Sequence, residues 1–360
     1  MESNNFIKKI FLARVSKMLF TIFITKFFSP AITGLLIIII CRCESNDRFY
    51  RPNLPEQLCS IGIINADDTA RYISFEKSYQ EEYPEELNDS LRNLAFTISS
   101  SNKELFSYKT SHTIKRLSGF KLPDSINFSS GGKYFLLAKE NSTSEISAEI
   151  TVPEPPAVPT LISIDEEIVT LSEPQECAGP KYKKWAVINI SFIKNNEQKL
   201  YYALLVQGTG FSFSSLFLPL SGLLDFSVRE SNSPGFFALM QGLKMYHYHC
   251  DGFHASVINS PVSAYFIEGS KIPDNKCNIT LSVQFSDNYC VYEAIKAFHV
   301  KLLSIPEELY QFEKSLYTYG KVKNDPFSEP VYLNGNISGG NGVFAICRSS
   351  GLTINLSPWY

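Results

Sequence analysis

The sequence has few of the side chains that usually perform catalysis or bind metal ions. Its 360 residues include only five histidines, four methionines and two tryptophans. The H-E-x-x-H, G-x-S-x-G and C-x-x-C patterns are all missing, which removes the common signatures of zinc proteases, α/β-hydrolases and zinc ribbons. We therefore predict that the protein is not an enzyme and that it needs no cofactor.

An excess of charge of either sign is also missing. The formal net charge is −3 and no run of basic residues occurs, so nucleic acid is not an expected partner. Phenylalanine and tyrosine, by contrast, are abundant, with 27 and 19 residues. Because aromatic side chains fit the half-buried faces of β-sheets, the composition predicts a mostly β fold with a true hydrophobic core.

A long uncharged run lies near the N-terminus, at residues 27–40, and basic residues precede it. As a helix it would span roughly 21 Å, which is short of the roughly 30 Å of a bilayer core. A basic region, an apolar core and a polar mature start describe an export signal, so we predict a signal and lipoprotein-targeting segment at residues 1–43. An uncleaved anchor helix is the alternative, and translation could also start at Met18.

Two cysteines close the apolar run. In bacterial lipoproteins a cysteine at this place becomes the acylated N-terminus, and the acyl chains hold the protein in a membrane. Cys43 is the preferred lipidation site because the polar stretch 44–47 follows it, and Cys41 is the alternative. The preceding residues, Ile40 and Arg42, are larger than the small residue expected there. The remaining six of the eight cysteines could form disulfides or stay as buried thiols. Six cysteines allow fifteen pairings, and the sequence cannot choose among them.

Proline marks the predicted domain boundary. Residues 153–159 contain four prolines, which cannot continue a sheet and stiffen a connector. We therefore predict an immunoglobulin-like β-sandwich at residues 44–152, a Pro-rich linker at 153–159, a larger β-sandwich domain at 160–350 and a C-terminal tail at 351–360.

Periodicity predicts several elements inside these domains. Residues 133–139 and 145–152 alternate apolar and polar side chains and predict a hairpin with one buried face. Residues 186–193 and 199–206 predict a second hairpin around a short Asn-rich turn. One helix is expected near 306–319, because a proline and two glutamates form a favourable first turn and apolar residues then recur at helical spacing.

A histidine-rich stretch is the sharpest candidate for metal chemistry. His247 and His249 would point to the same side of a strand, and Cys250, Asp251 and His254 follow them. An exposed polar loop explains the same residues more simply. We therefore predict no metal site and retain His247, His249 and His254 only as weak candidates.

The C-terminal part carries a motif of two elements with fixed order. The first element consists of Asp325, Pro326, Phe327, Glu329 and Pro330. The second element consists of Asn336, Gly339, Gly340, Gly342 and Phe344. With the preceding helix, this order resembles the closing signature of the domain of unknown function 4249 family of outer-membrane lipoproteins from Bacteroidetes-type bacteria.

The resemblance implies a protein held by a lipid anchor in the outer membrane, at the cell surface or on the periplasmic face. It implies an immunoglobulin-like first domain and a larger β-rich second domain, with no catalytic residues. It further implies an accessory role beside a TonB-dependent receptor in nutrient capture or import, with the ligand unknown. A surface adhesion or structural lipoprotein without a transport role is the alternative, and a metal-dependent enzyme is the third hypothesis.

The motif also has an expected physical role. Its prolines fix an extended turn, and its glycines permit a tight bend before Phe344. We predict that this segment packs against the helix and closes the second domain. Replacing Gly340 with valine should then lower the melting temperature.

Overall fold

The structure is a computed structural model. It describes residues 57–68, 71–78, 91–101, 103–111, 113–114, 119–141, 143, 145–170, 182–194, 200–212, 219–223, 226–240, 245–248, 255–258, 262–287, 293–322, 329 and 331–355. The chain divides into Met1–Asn53 and the compact unit Leu54–Tyr360, and all described residues belong to the second unit.

The described elements are mainly strands, with one α-helix, α1 (Glu307–Val322), and two short 3-10 turns among them. The strands of the N-terminal half are β1 (Gln57–Asn65), β2 (Tyr72–Ser78), β3 (Leu91–Arg92), β4 (Ala95–Ser100), β5 (Lys103–Lys109), β6 (Thr113–Ile114), β7 (Gly119–Lys121), β8 (Lys133–Lys139), β9 (Ile146–Thr151) and β10 (Thr160–Thr170). The strands that follow are β11 (Tyr182–Ile193), β12 (Tyr201–Ser212), β13 (Pro219–Leu223), β14 (Phe226–Ser231), β15 (Gly235–Met240), β16 (Met245–Tyr248), β17 (Ala255–Ile258), β18 (Val262–Glu268), β19 (Lys276–Asp287), β20 (Glu293–Ile305) and β21 (Asn341–Asn355).

A nine-stranded sheet forms the centre of the fold. Its order is β15-β18-β12-β20-β21-β1-β2-β7, and β13 also pairs with β12. β1 and β21 pair in parallel, from Cys59 opposite Asn341 to Asn65 opposite Cys347. The first and the last described strands are therefore neighbours in the middle of one sheet.

Two four-stranded sheets cover one face of the nine-stranded sheet. The first, β5-β4-β8-β9, shares a buried core with β1, β2 and the start of β21. The second, β10-β11-β19-β14, shares another core with β12, β20 and the end of β21. In β21, Phe344 and Ile346 belong to the first core and Ile354 belongs to the second. The fold thus contains two β-sandwiches that use one continuous sheet as their common layer.

Helix α1 covers the opposite face of the nine-stranded sheet. Its buried Leu309, Tyr310 and Phe312 pack with Val343 and Cys347, whose side chains alternate with those that face the sandwich cores. The helix begins after Pro306, has Glu307 and Glu308 in its first turn, and continues two residues past Gly320.

The sequence predicted the fold class correctly. A mostly β architecture with sandwich packing and a helix near the C-terminus is confirmed. The hairpin of β8 and β9 is also confirmed, and Ile146, Ala148, Ile150 and Val152 are buried as the alternation indicated.

The predicted pairing of the second hairpin is wrong. β11 pairs with β10 and β19, whereas β12 pairs with β13, β18 and β20. The two strands lie in different layers of the second sandwich, because each buries its apolar side chains against the other layer rather than against a neighbour in its own sheet. The predicted domain bounds stay a prediction. The nine-stranded sheet contains strands from both predicted domains. Residues 351–355 of the predicted C-terminal tail belong to β21.

Candidate functional site

The predicted lipidation and metal residues lie largely outside the described part of the chain. Cys41 and Cys43 are not among the described residues, and neither are His249 and His254. His247 lies in β16, opposite Ser256 of β17. Among the residues that the structure does describe, no group of three His, Cys, Asp or Glu side chains could hold a metal ion, and no helix is long and apolar enough to cross a membrane.

The cysteines inside the described ranges are free thiols. Cys277 and Cys347 are buried, and Cys59 is partly buried. Burial raises the pKa of the Cys277 thiol to about 12, and burial also raises the pKa of the Cys347 thiol. Since the thiolate is the nucleophile and the metal ligand, these two buried thiols are poor candidates for chemistry.

The family motif is partly described, and Asn336 occupies its centre. The Asn336 side chain accepts a hydrogen bond from the Phe344 backbone N–H at 2.9 Å and donates one to the Phe344 carbonyl at 2.8 Å. The N–H and C=O of one strand residue point to the same side, and at Phe344 that side faces away from β1. Asn336 therefore replaces a missing strand partner at the start of β21. Glu329 is exposed, whereas Asp325, Pro326, Phe327 and Pro330 lie outside the described residues.

Three glycines of the motif stand where a side chain has no space. Gly339 and Gly342 have φ values of +79° and +113°, a region that L side chains rarely adopt. A Cβ atom at Gly340 would lie 2.1 Å from the Leu58 carbonyl oxygen and 2.7 Å from Ile146 Cγ2. The glycines thus let the motif pass directly between β1 and β9.

The motif joins separate elements of the fold. Ser338 forms a two-way backbone bridge with Ser147 of β9, with N···O distances of 3.0 and 2.8 Å. On the other side, the Asn334 backbone N–H donates to Ser315 Oγ of α1 at 3.1 Å. These contacts connect the first small sheet, the nine-stranded sheet and the helix. The described part of the motif segment therefore touches the helix at Asn334 but packs mainly on β1 and β9 of the predicted first domain, instead of closing the second domain as predicted, and it offers no reactive group.

A cleft opens on the outer face of the sheet β10-β11-β19-β14. Its volume is about 340 Å³, near the low end of the roughly 300–1,000 Å³ of small-molecule sites. The polar side chains of the lining are amides, hydroxyls and one carboxylate, while apolar atoms make up the larger part of its exposed surface. The lining residues include Ile162, Asn189, Glu230, Asn232, Asn278 and Thr280.

The floor of the cleft is a hydrogen-bonded row across three strands. Thr280 Oγ1 donates to Asn189 Oδ1 at 2.6 Å, and Asn189 Nδ2 donates to Ser163 Oγ at 2.7 Å. The row follows from register, because Ser163 is opposite Asn189 and Asn189 is opposite Thr280. Each side chain is held in place by its neighbour, so the floor is rigid before any ligand arrives.

The rims of the cleft are also held in place. The Asn232 side chain accepts a hydrogen bond from the Asn278 backbone N–H at 2.9 Å and donates one to the Lys276 carbonyl at 2.9 Å. These two hydrogen bonds connect the end of β14 to β19. Arg229 of β14 forms an ion pair with Glu167 of β10, so side chains of the two edge strands meet across the outer face. Ile162 sits where the pairing of β10 with β11 shifts its register, and it is 58% exposed.

A second cluster joins α1 to the nine-stranded sheet. Tyr310 stacks on Tyr201 with ring centroids 4.4 Å apart, and the Tyr201 hydroxyl donates to Glu307 at 2.8 Å. Burial, with added repulsion from Glu268 and Tyr201, raises the pKa of Tyr310 to about 12. The cluster is packed aromatic surface that fixes the helix.

Sequence reasoning missed the cleft, because its residues come from four strands that are distant in the chain. Only the strand register brings them together. The one local signal was the alternation in β19, which places Asn278 and Thr280 on the face opposite to Ile279 and Leu281.

Comparison with protein families identifies the chain. The family model described as "Domain of unknown function (DUF4249)" matches residues 51–352. This match covers most of the chain, and the protein belongs to that family. No curated protein matches the sequence.

Solved structures give only distant likenesses. A native α-L-rhamnosidase from Aspergillus terreus aligns with 9% identity and a TM-score of 0.29 over 70% of this chain and 27% of that enzyme. The B domain of a biofilm-associated protein aligns with 10% identity and a TM-score of 0.13 over 84% of this chain and 86% of that domain. At such scores neither likeness carries an argument about fold or activity.

Proposed function

We propose that the protein is an outer-membrane lipoprotein that binds beside a TonB-dependent receptor and assists in nutrient capture or import. The observation that carries the proposal is the apolar run ending at Cys41 and Cys43 in a chain of this family. The acylated residue in the proposal is Cys43, with Cys41 as the alternative. The protein has no catalytic step in this role, and its function is to bind.

The arrangement of the described residues agrees with a binding role. The glycine motif joins strands through close packing and backbone hydrogen bonds, and the buried thiols have raised pKa values. The cleft on the outer sheet, by contrast, offers hydrogen-bonding groups that are already fixed in position. These features support a rigid scaffold that presents a binding surface.

Metabolic labelling tests the lipid anchor. Cells that express the tagged full-length chain would be fed an alkyne analogue of palmitate, and the purified protein would be examined for the label. Label is expected on the wild type and on Cys41→Ala, and loss of label is expected for Cys43→Ala. Loss only in Cys41→Ala would move the site, and an unlabelled wild type would overturn the lipoprotein assignment.

A native pull-down tests the partner. The tagged protein would be isolated from outer membranes in mild detergent, with a tagged unrelated lipoprotein as the control, and co-purifying proteins would be identified by mass spectrometry. A stoichiometric TonB-dependent receptor absent from the control is the expected result. Recovery of the protein alone would refute the transport role and favour adhesion or a structural role.

A further inference from the structure

We propose that the cleft on the sheet β10-β11-β19-β14 binds a neutral, hydroxyl-rich small molecule of the size of one or two sugar rings. This inference deepens the proposed capture role and rests on it for biological meaning. The binding itself is a property of the described residues and can be measured without any partner protein.

The chemistry of the lining selects the ligand class. Amide and hydroxyl groups both donate and accept hydrogen bonds, as the hydroxyl groups of a polyol do. Neither lysine nor arginine is among the lining residues, and Arg229 at the rim is already paired with Glu167, so the cleft offers no unpaired cation to a phosphate or a carboxylate. Ile162 adds an apolar wall against which the C–H face of a ring can pack.

Two side chains have hydrogen-bonding capacity to spare. Among the described residues, neither the Asn278 amide group nor the Glu230 carboxylate has a hydrogen-bond or ion-pair partner, and both residues are exposed. Thr280 and Asn189 are fixed to each other at 2.6 Å and still have unused lone pairs and one unused N–H. A ligand with several adjacent hydroxyl groups would satisfy all four residues without any rearrangement.

The position of the cleft argues against a bound peptide strand. Strand addition needs an open sheet edge, where main-chain groups wait for partners. The hydrogen-bonded row of the cleft lies on the face of the sheet and runs across three strands. The available groups therefore form a patch rather than a line, which fits a compact polyol better than an extended chain.

The test is binding to the full-length protein in detergent, by saturation-transfer NMR and isothermal titration calorimetry. The neutral probes are maltose, cellobiose, xylobiose and sorbitol, and the charged comparisons are galacturonate and spermidine. Saturable binding of at least one neutral probe is expected, because the lining has no cation for the acid and only one carboxylate for the amine. A preference for spermidine or galacturonate would overturn the assigned class, and so would the absence of saturable binding by all four neutral probes.

Variants locate the binding. Asn278→Ala removes one ligand hydrogen bond and should weaken binding about fivefold to tenfold, and Glu230→Gln should weaken it by a similar factor. Asn355→Ala is the matched control, since Asn355 is exposed at the end of β21, opposite Ala297 and away from the cleft. Equal affinity in all three variants would place the binding elsewhere and refute the proposal.

The outcomes for the cleft and for the receptor are separable. A protein that co-purifies with a receptor but binds none of the probes would keep the proposed function and lose this inference. A protein that binds maltose through Asn278 but has no receptor partner would keep the inference and lose the transport role.

Discussion

Replacing Gly340 with valine should destabilise the protein through steric conflict at a junction of two strands. A Cβ atom would lie 2.1 Å from the Leu58 carbonyl of β1 and 2.7 Å from the Ile146 side chain of β9. Both distances are shorter than real Cβ contacts allow, and one of the opposing atoms is backbone. The substitution must therefore displace the motif from β1, from β9 or from both.

The expected cost follows from overpacking in a close-packed interior, which is typically about 1–3 kcal/mol. Valine adds two further methyl groups, and the nearby Ser338–Ser147 bridge, which contributes two backbone hydrogen bonds, would be strained. We expect a loss of about 3 kcal/mol in the free energy of unfolding. At about 2 °C per kcal/mol for a chain of this size, the melting temperature should fall by about 6 °C.

Thermal unfolding followed by circular dichroism measures this change. Gly320→Val is the matched control, because a Cβ atom at Gly320 meets nothing within 4 Å. In the helix, valine is also slightly more favourable than glycine, so this control should melt at or just above the wild-type temperature. If Gly340→Val melts within 1 °C of the control, on the order of the measurement error, the reasoning about the motif is refuted.

Two further predictions concern the motif and the helix. Asn336→Ala leaves the N–H and C=O of Phe344 without partners and should cost about 2–3 kcal/mol in chemical denaturation, while a cost below about 0.5 kcal/mol would show that water replaces the amide. Tyr310 ionises near pH 10 in the unfolded chain and near pH 12 in the folded protein. Between these values the unfolded chain binds fewer protons, so the free energy of unfolding falls as pH rises. Tyr310→Phe should make this fall less steep in denaturation curves collected from pH 9 to pH 12, by up to about 1.4 kcal/mol per pH unit, and an unchanged slope would contradict the assignment.

The sequence predicted those elements whose signals are local. The β8–β9 hairpin combines clean alternation with a short connection, so its partner is its neighbour in the chain. The helix is predicted by Pro306, by the two glutamates of the first turn and by the apolar repeat that includes Leu309 and Phe312. In both cases the residues that decide the structure lie within one short segment.

Elements whose partners are distant could not be predicted. Nothing near β1 indicates that it will lie between β2 and β21, since β21 is almost a chain length away. The sequence predicts a hairpin of β11 and β12 because both strands are apolar and nearly adjacent in the chain. Their separation into two layers is decided by the strands that flank them, and the cleft residues meet only after that register exists.

The central place of β1 has a consequence for the order in which the molecule is made. Synthesis produces β1 well before β21, so the edge of β1 from Cys59 to Asn65 has no partner until β21 emerges. Contacts of such sequence separation form late and slowly. A nascent chain that still lacks β21 therefore cannot complete the nine-stranded sheet. Loss of β21 by truncation would remove the parallel partner of β1 and part of the packing around Ile63 and Ile64, and it would leave an open sheet edge of the kind that aggregates.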